Sequence, residues 1–159
     1  MPSLLENLKR QTFWIVARVC FKLYRSFPLF GSLRASIAVI HRDNRILVIQ
    51  RNDGRGLSLP GGIAGWKEAE EITLRREVLE ETGLSVTSAA IQMKYHSSAE
   101  LPCNISVFTA EADGELKSSW EGSPCWMRIE ELEPRLIKSQ RPVLELMRKS
   151  VVESGTGSR

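Results

Sequence analysis

Three glutamates, Glu77, Glu80 and Glu81, stand within nine residues of one another, in the stretch Arg76-Glu77-Val78-Leu79-Glu80-Glu81-Thr82-Gly83-Leu84. Positions i, i+3 and i+4 share one face of a helix, so the three carboxylates converge. As free like charges, each such pair costs a helix about 0.2–0.5 kcal/mol. A hard cation reverses that sign. Mg²⁺ takes carboxylate oxygens, keeps several waters and bridges to substrate phosphates. The competing reading is a solvated acidic face with no ligand. Arg76, beside the cluster, can orient a carboxylate or neutralise surplus charge. Upstream, Pro60-Gly61-Gly62 lets the backbone approach a ligand closely, because glycine adds no side chain. Its carbonyl or N–H groups can then reach a metal or a phosphate.

These residues need a helix, a glycine loop and a sheet to hold them. The spacing predicts a helix over Glu68–Thr82, ended by Gly83 at the C′ position. Ile72 and Leu79 fall opposite the glutamates and are expected to pack on the sheet. Before the loop, two β-branched runs, Ala35–His41 and Arg45–Gln50, flank Asp43 and Asn44, which is a hairpin signal. Leu84–Tyr95, Asn104–Ala112 and Cys125–Ile129 read as further strands, and Ser139–Val152 as a closing helix with Pro142 in its first turn. Strands in runs with helices between them give an α+β or mixed α/β sandwich.

Residues 3–27 read as an amphipathic helix, with Leu5, Leu8, Ile15, Val16, Val19 and Leu23 on one face and Arg18, Lys22 and Arg25 on the other. Ser26, Pro28 and Gly31 break it. The expected organisation is therefore a helix and linker over 1–31, a catalytic domain over 32–152 and a polar tail over 153–159. Packing on the domain or against a second copy explains the wide apolar face, and so does peripheral contact with a membrane surface.

Composition narrows the function classes. The net charge of +3 is small, and residues 1–34 hold six cations against the single acid Glu6, so the remainder is slightly acidic. No nucleic-acid partner is expected. Three scattered cysteines give neither a disulfide framework nor a zinc knuckle, and two histidines exclude a His-rich metal site. The apolar stretch from Phe13 to Phe30 is interrupted by Arg18, Lys22 and Arg25 and falls short of the ~18 apolar residues of a spanning helix. The expected setting is the cytoplasm, with peripheral membrane association as the alternative.

Gly62, five residues, Glu68, seven residues, then Arg76 to Leu84 resembles the full box of the Nudix hydrolases, with every defining position filled. The resemblance runs from about Leu33 to Val152. It implies an α/β/α sandwich with a mixed sheet and a Mg²⁺- or Mn²⁺-dependent hydrolase of nucleoside diphosphates linked to another moiety. It also implies metal ligands at Glu77, Glu80, Glu81 and the Gly62 carbonyl, with Glu77 alternatively activating water. Glu68 is expected to pair with Arg76 and fix the loop against the helix. Gly65 and Lys67 depart from the usual Glu and Gly of the loop, and Leu57 stands where a Trp is usual. Between Leu84 and Pro102 no signature for NADH, coenzyme A or ADP-ribose is evident. The family often draws a base or a further ligand from a later loop, for which Glu121 is the candidate, with Glu100 behind it.

Arg51 and Arg55 are candidates for phosphate contact beside the glycine loop, against plain solvated hairpin charge. Trp120 is a candidate to stack on a base from an exposed loop, whereas Phe108 and Trp126 read as core. Two further readings stay open: a nucleotide-sensing module without turnover, and an enzyme acting on a lipid-linked diphosphate at a membrane surface.

Overall fold

Asp43 and Asn44 adopt positive φ angles of 48° and 61°. Two successive left-handed residues are what a tight hairpin turn needs, and Asp and Asn tolerate that region better than most residues. The turn joins β2 (His41–Arg42) to β3 (Arg45–Arg51), and β1 (Leu33–Val39) runs into it. The computed structural model describes residues 33–149. The expected helix over 3–27, the tail over 153–159 and the end of the closing helix lie outside the described residues.

Two four-stranded sheets follow. In the first, β5 (Gly61–Ile63), β1, β7 (Cys103–Asp113) and β6 (Ser85–Ser97) lie side by side in that order. β1 and β7 run parallel and the other neighbours antiparallel, so the sheet is mixed. In the second, β3 is central, with β2 and β4 (Leu57–Ser58) along one edge and β8 (Gly122–Met127) along the other, all antiparallel. Ile46, Leu47, Val48 and Ile49 of β3 are all buried, so both of its faces are covered.

One core holds Ile37 and Val39, Ile46 and Val48, Ile105 and Val107, with Leu132, Leu136, Val143 and Met147 from the C-terminal turns. The second holds Ala38, Leu47 and Phe108, with Leu74 and Val78 from helix α1 (Glu70–Thr82). Helical segments therefore cover opposite sides of the sheets, giving an α/β/α sandwich. Phe108 is core, while Trp126 is half-buried with the Arg42 guanidinium 4.9 Å above its ring.

Four local expectations need correction. Helix α1 starts at Glu70 rather than Glu68, because Glu68 stays in the loop and its side chain binds back to it. Ile72 and Leu79 are more than half exposed. At about 100° per residue they do lie opposite Glu77, but the side that meets the sheet is centred a quarter-turn from Glu77, on Leu74 and Val78. β8 lies earlier than expected, because Ile129 opens the short helix α2 (Ile129–Leu132). The expected closing helix begins as a 3₁₀ segment, Lys138–Val143, and becomes α-helical over residues 144–149. Tyr95 Oη donates to the Ser139 carbonyl at 2.7 Å, and Gln140 Oε1 accepts the Leu59 N–H at 2.7 Å. Those tertiary bonds hold the tighter turns in place of a first α-helical turn.

Candidate active site

Helix α1 and strand β5 build the site. Pro60 leaves β4, and its carbonyl accepts the Ala38 N–H at 2.8 Å, which fixes the loop to β1. Gly61 has a φ of 141°, and a Cβ there would collide with the Ser36 carbonyl. Only glycine lets β5 approach β1 this closely. At Gly62 a Cβ would lie 2.5 Å from the Glu77 carboxyl carbon. The carboxylate thus occupies the space that the missing side chain leaves. At the far end of α1, Gly83 takes the left-handed C-cap conformation, with a φ of 78°, and donates to the Leu79 carbonyl at 2.9 Å.

The three glutamates span a gradient of burial. Glu81 lies on the core edge of α1 and is 5% exposed, Glu77 is mostly buried, and Glu80 faces solvent. Glu81 Oε2 accepts the Gly61 N–H at 2.8 Å. Burial pushes its carboxyl up to about 8; the Gly61 N–H opposes the rise, and the neighbouring charges of Glu121 and Glu77 add to it. Burial also raises Glu77, opposed by Arg76. Arg76 Nη1 reaches Glu77 Oε1 at 2.7 Å and Glu80 Oε2 at 3.4 Å.

Arg76 also holds Glu68 in a two-pronged bond, Nε to Oε1 and Nη2 to Oε2, both at 2.9 Å. Glu68 Oε2 further accepts the Gly65 N–H at 2.8 Å and the Thr73 hydroxyl at 2.9 Å. Arg76 and these donors hold the Glu68 carboxyl down at about 2. The loop from Gly62 to Glu68 is thereby tied to the helix through one guanidinium. Thr73 escaped sequence reasoning; its place one helical turn before Glu77 was the available signal.

The structure brings Glu121, from the β7–β8 connection, near enough to Glu81 for its charge to raise that carboxyl further. Its backbone carbonyl accepts the Asn52 N–H at 2.9 Å. Arg51 feels the negative charge of Glu121 and Glu81, although its direct partner is Asp53 at 2.6 Å. Trp120 is exposed, and its carbonyl accepts Asn52 Nδ2 at 3.1 Å. Arg55 does not join them. It pairs with the same Asp53 oxygen, Oδ2, at 3.2 Å and lines a hollow that Glu100 also lines. Asp53, which holds both arginines, was missed; its position between them in sequence could have signalled the role.

The NUDIX domain family matches residues 32–147 of this chain. A MutT-like protein of Streptomyces ambofaciens is 30% identical over 111 residues, which cover 69% of this chain and 71% of the relative. The chain belongs to the Nudix hydrolase family. The fold agrees with solved Nudix structures. A MutT NUDIX hydrolase from Burkholderia pseudomallei superposes with a TM-score of 0.65 at 26% identity, over 72% of this chain and 97% of that one. A NUDIX hydrolase from Nitrosomonas europaea gives 0.63 at 22% identity, over 79% and 90%.

Nudix hydrolases generally use divalent metals, and the donor chemistry here can be weighed against one. Among the described residues no three acidic, His or Cys groups are gathered as a ready ion cage. Arg76 draws Glu77 and Glu80, and Gly61 holds Glu81. The donor set nevertheless fits a hard cation. Glu77, Glu80, Glu81 and Glu121 supply only oxygens, and their charge exceeds what Arg76, shared with Glu68, neutralises. The Gly62 cradle leaves room for the Glu77 carboxylate at the backbone. No described helix is long and apolar enough to cross a membrane.

Proposed function

We propose that this Nudix hydrolase uses Mg²⁺ or Mn²⁺ to cleave a phosphoanhydride bond in a nucleoside diphosphate linked to another moiety. The observation that supports this reading is the seating of two carboxylates on the glycine backbone, Glu77 in the space at Gly62 and Glu81 on the Gly61 N–H. Four nearby carboxylates with one shared arginine are costly unless a cation joins them. Glu77, Glu80, Glu81 and the Gly62 carbonyl would hold the metal. When bound, it neutralises the diphosphate oxygens and lowers the pKa of a coordinated water.

The chain's own residues do the rest. Arg76 bonds both Glu77 and Glu80 and sets their orientation, while Glu68 fixes Arg76. Gly61 holds Glu81 at the core edge. Glu121, close to Glu81, would take a proton from the attacking water, with Glu77 as the alternative base. Arg51, anchored by Asp53, offers its guanidinium to a substrate phosphate. Trp120 offers an exposed ring for stacking on a base. The small partner implied is a nucleotide-type molecule.

The test is a substrate panel assayed for released phosphate, with and without added phosphatase, in Mg²⁺ and in Mn²⁺. Wild type is expected to turn over at least one nucleoside diphosphate compound, and Glu80→Gln and Glu81→Gln to lose that activity. A wild type that binds nucleotides and releases no product with either metal would overturn the reading.

A further inference from the structure

The β3–β4 turn and the 3₁₀ turns after α2 line a hollow of about 450 Å³. Arg55 comes from the first, and Arg135, Lys138 and Arg141 from the second. Glu100 is the one carboxylate in the lining, and its Oε1 accepts the Ser139 N–H at 3.4 Å. The three later cations recur every third residue. In 3₁₀ geometry residues i and i+3 eclipse, so Lys138 and Arg141, both in the 3₁₀ segment Lys138–Val143, project from one edge.

The walls are fixed by backbone. Gly56 has a φ of 109°, and a Cβ there would collide with the Arg135 carbonyl, so the two turns meet without a side chain between them. Arg55 shares the single carboxylate of Asp53, at 3.2 Å, with Arg51. Arg135, Lys138 and Arg141 have no ion-pair partner among the described residues. Cations scattered over a convex surface need no explanation. Three of one sign around a concave surface repel one another and focus a positive potential into the hollow. The volume falls within the range of about 300–1,000 Å³ typical of small-molecule sites. Arginine forks match phosphate oxygens in pairs, and lysine adds a point charge.

We propose that this hollow binds a phosphate-bearing anion. The proposal does not depend on turnover at the carboxylates. The anion can belong to the far moiety of the substrate or to a separate phosphate compound, and the shared chemistry is the phosphate group.

The experiment is calorimetric titration of the full chain with inorganic pyrophosphate in EDTA, which removes metal-mediated binding at the glutamates. Wild type is expected to bind, and Arg135→Gln/Lys138→Gln/Arg141→Gln to bind about tenfold or more weakly. Arg45→Gln, an exposed cation elsewhere, is expected to bind as wild type. The single variants Lys138→Gln and Arg141→Gln, each expected to lose part of the affinity, keep the test readable if the triple variant unfolds. The two sources separate in kcat/KM for a nucleoside diphosphate-sugar with and without a phosphate on the sugar. A loss in the variant confined to the phosphorylated compound assigns the anion to the substrate; equal kcat/KM for both compounds in variant and wild type assigns it to a separate compound. Wild type that fails to bind pyrophosphate in EDTA, or variants that bind it as wild type does, overturns the proposal.

Discussion

Glu81 Oε2 and the Gly61 N–H, twenty residues apart, meet at 2.8 Å and join the helix to the glycine strand. The carboxyl is nearly buried, and its pKa is raised from 4.5 to about 8, chiefly by that burial. The folded protein therefore holds this proton more tightly than the unfolded chain does. Its contribution to stability is complete below pH 4.5 and is lost as pH rises through about 8. Glu77, also raised by burial, acts in the same direction. In EDTA, thermal unfolding of wild type should weaken across this window by roughly 2–4 kcal/mol. Glu81→Gln should flatten most of that slope, and a divalent cation should restore stability at the high-pH end. A Tm that is level from pH 5 to 8 in metal-free wild type refutes the assignment.

Gly62→Ala tests the cradle. The added Cβ would stand 2.5 Å from the Glu77 carboxyl carbon, so the carboxylate must turn away. The backbone at Gly62 needs no positive φ, and β5 should therefore keep its pairing with β1. A displacement of about 1 Å at a reacting group costs on the order of 10²-fold in rate. The expected result is a fall of that order in kcat, with a Tm within a few degrees of wild type. Steady-state kinetics and a thermal melt of the same preparation check it, and unchanged kcat would remove Gly62 from the site.

Much of this was legible in the sequence, for identifiable reasons. The hairpin could be read because Asp43 and Asn44 carry their turn preference locally. The resemblance to the Nudix box pointed to the relation of Gly62, Glu68, Arg76 and Glu77, whose contacts stay within one loop and one helix. What escaped depends on tertiary placement. The side of α1 that meets the sheet is set by packing on Phe108 and Leu47, which periodicity of a mostly polar helix does not report. The cation cluster at 135, 138 and 141 appears only once the chain takes 3₁₀ turns, and those turns are held by Tyr95 and Leu59 from distant strands.

The packing side of α1 gives a direct comparison of two leucines. Leu74 is fully buried, whereas Leu79 is 51% exposed. Leu74→Ala should destabilise the fold by about 2–5 kcal/mol, the usual cost of a large-to-small change in a core. Leu79→Ala should stay within about 0.5 kcal/mol, as surface substitutions do. Urea unfolding of both variants reads the difference. Equal losses would mean that α1 is rotated so that Leu79 also meets the sheet.

Arg76 and Glu68 form the tie between loop and helix, and a substitution that keeps charge but removes geometry isolates it. Arg76→Lys retains a cation yet cannot hold both Glu68 oxygens while reaching Glu77, since a lysine has one nitrogen in place of the fork. The loop from Gly62 to Glu68 should loosen, and Glu77 should lose its fixed orientation. The expected outcome is a loss on the order of 10²-fold in kcat, together with faster amide exchange at Gly65, whose N–H is held by Glu68. Glu68→Gln should reproduce the exchange effect with a smaller loss of rate, because Arg76 keeps its bond to Glu77. If Arg76→Lys lowers kcat while Gly65 stays protected, Arg76 acts on the glutamates alone and the tie to the loop is not what positions them.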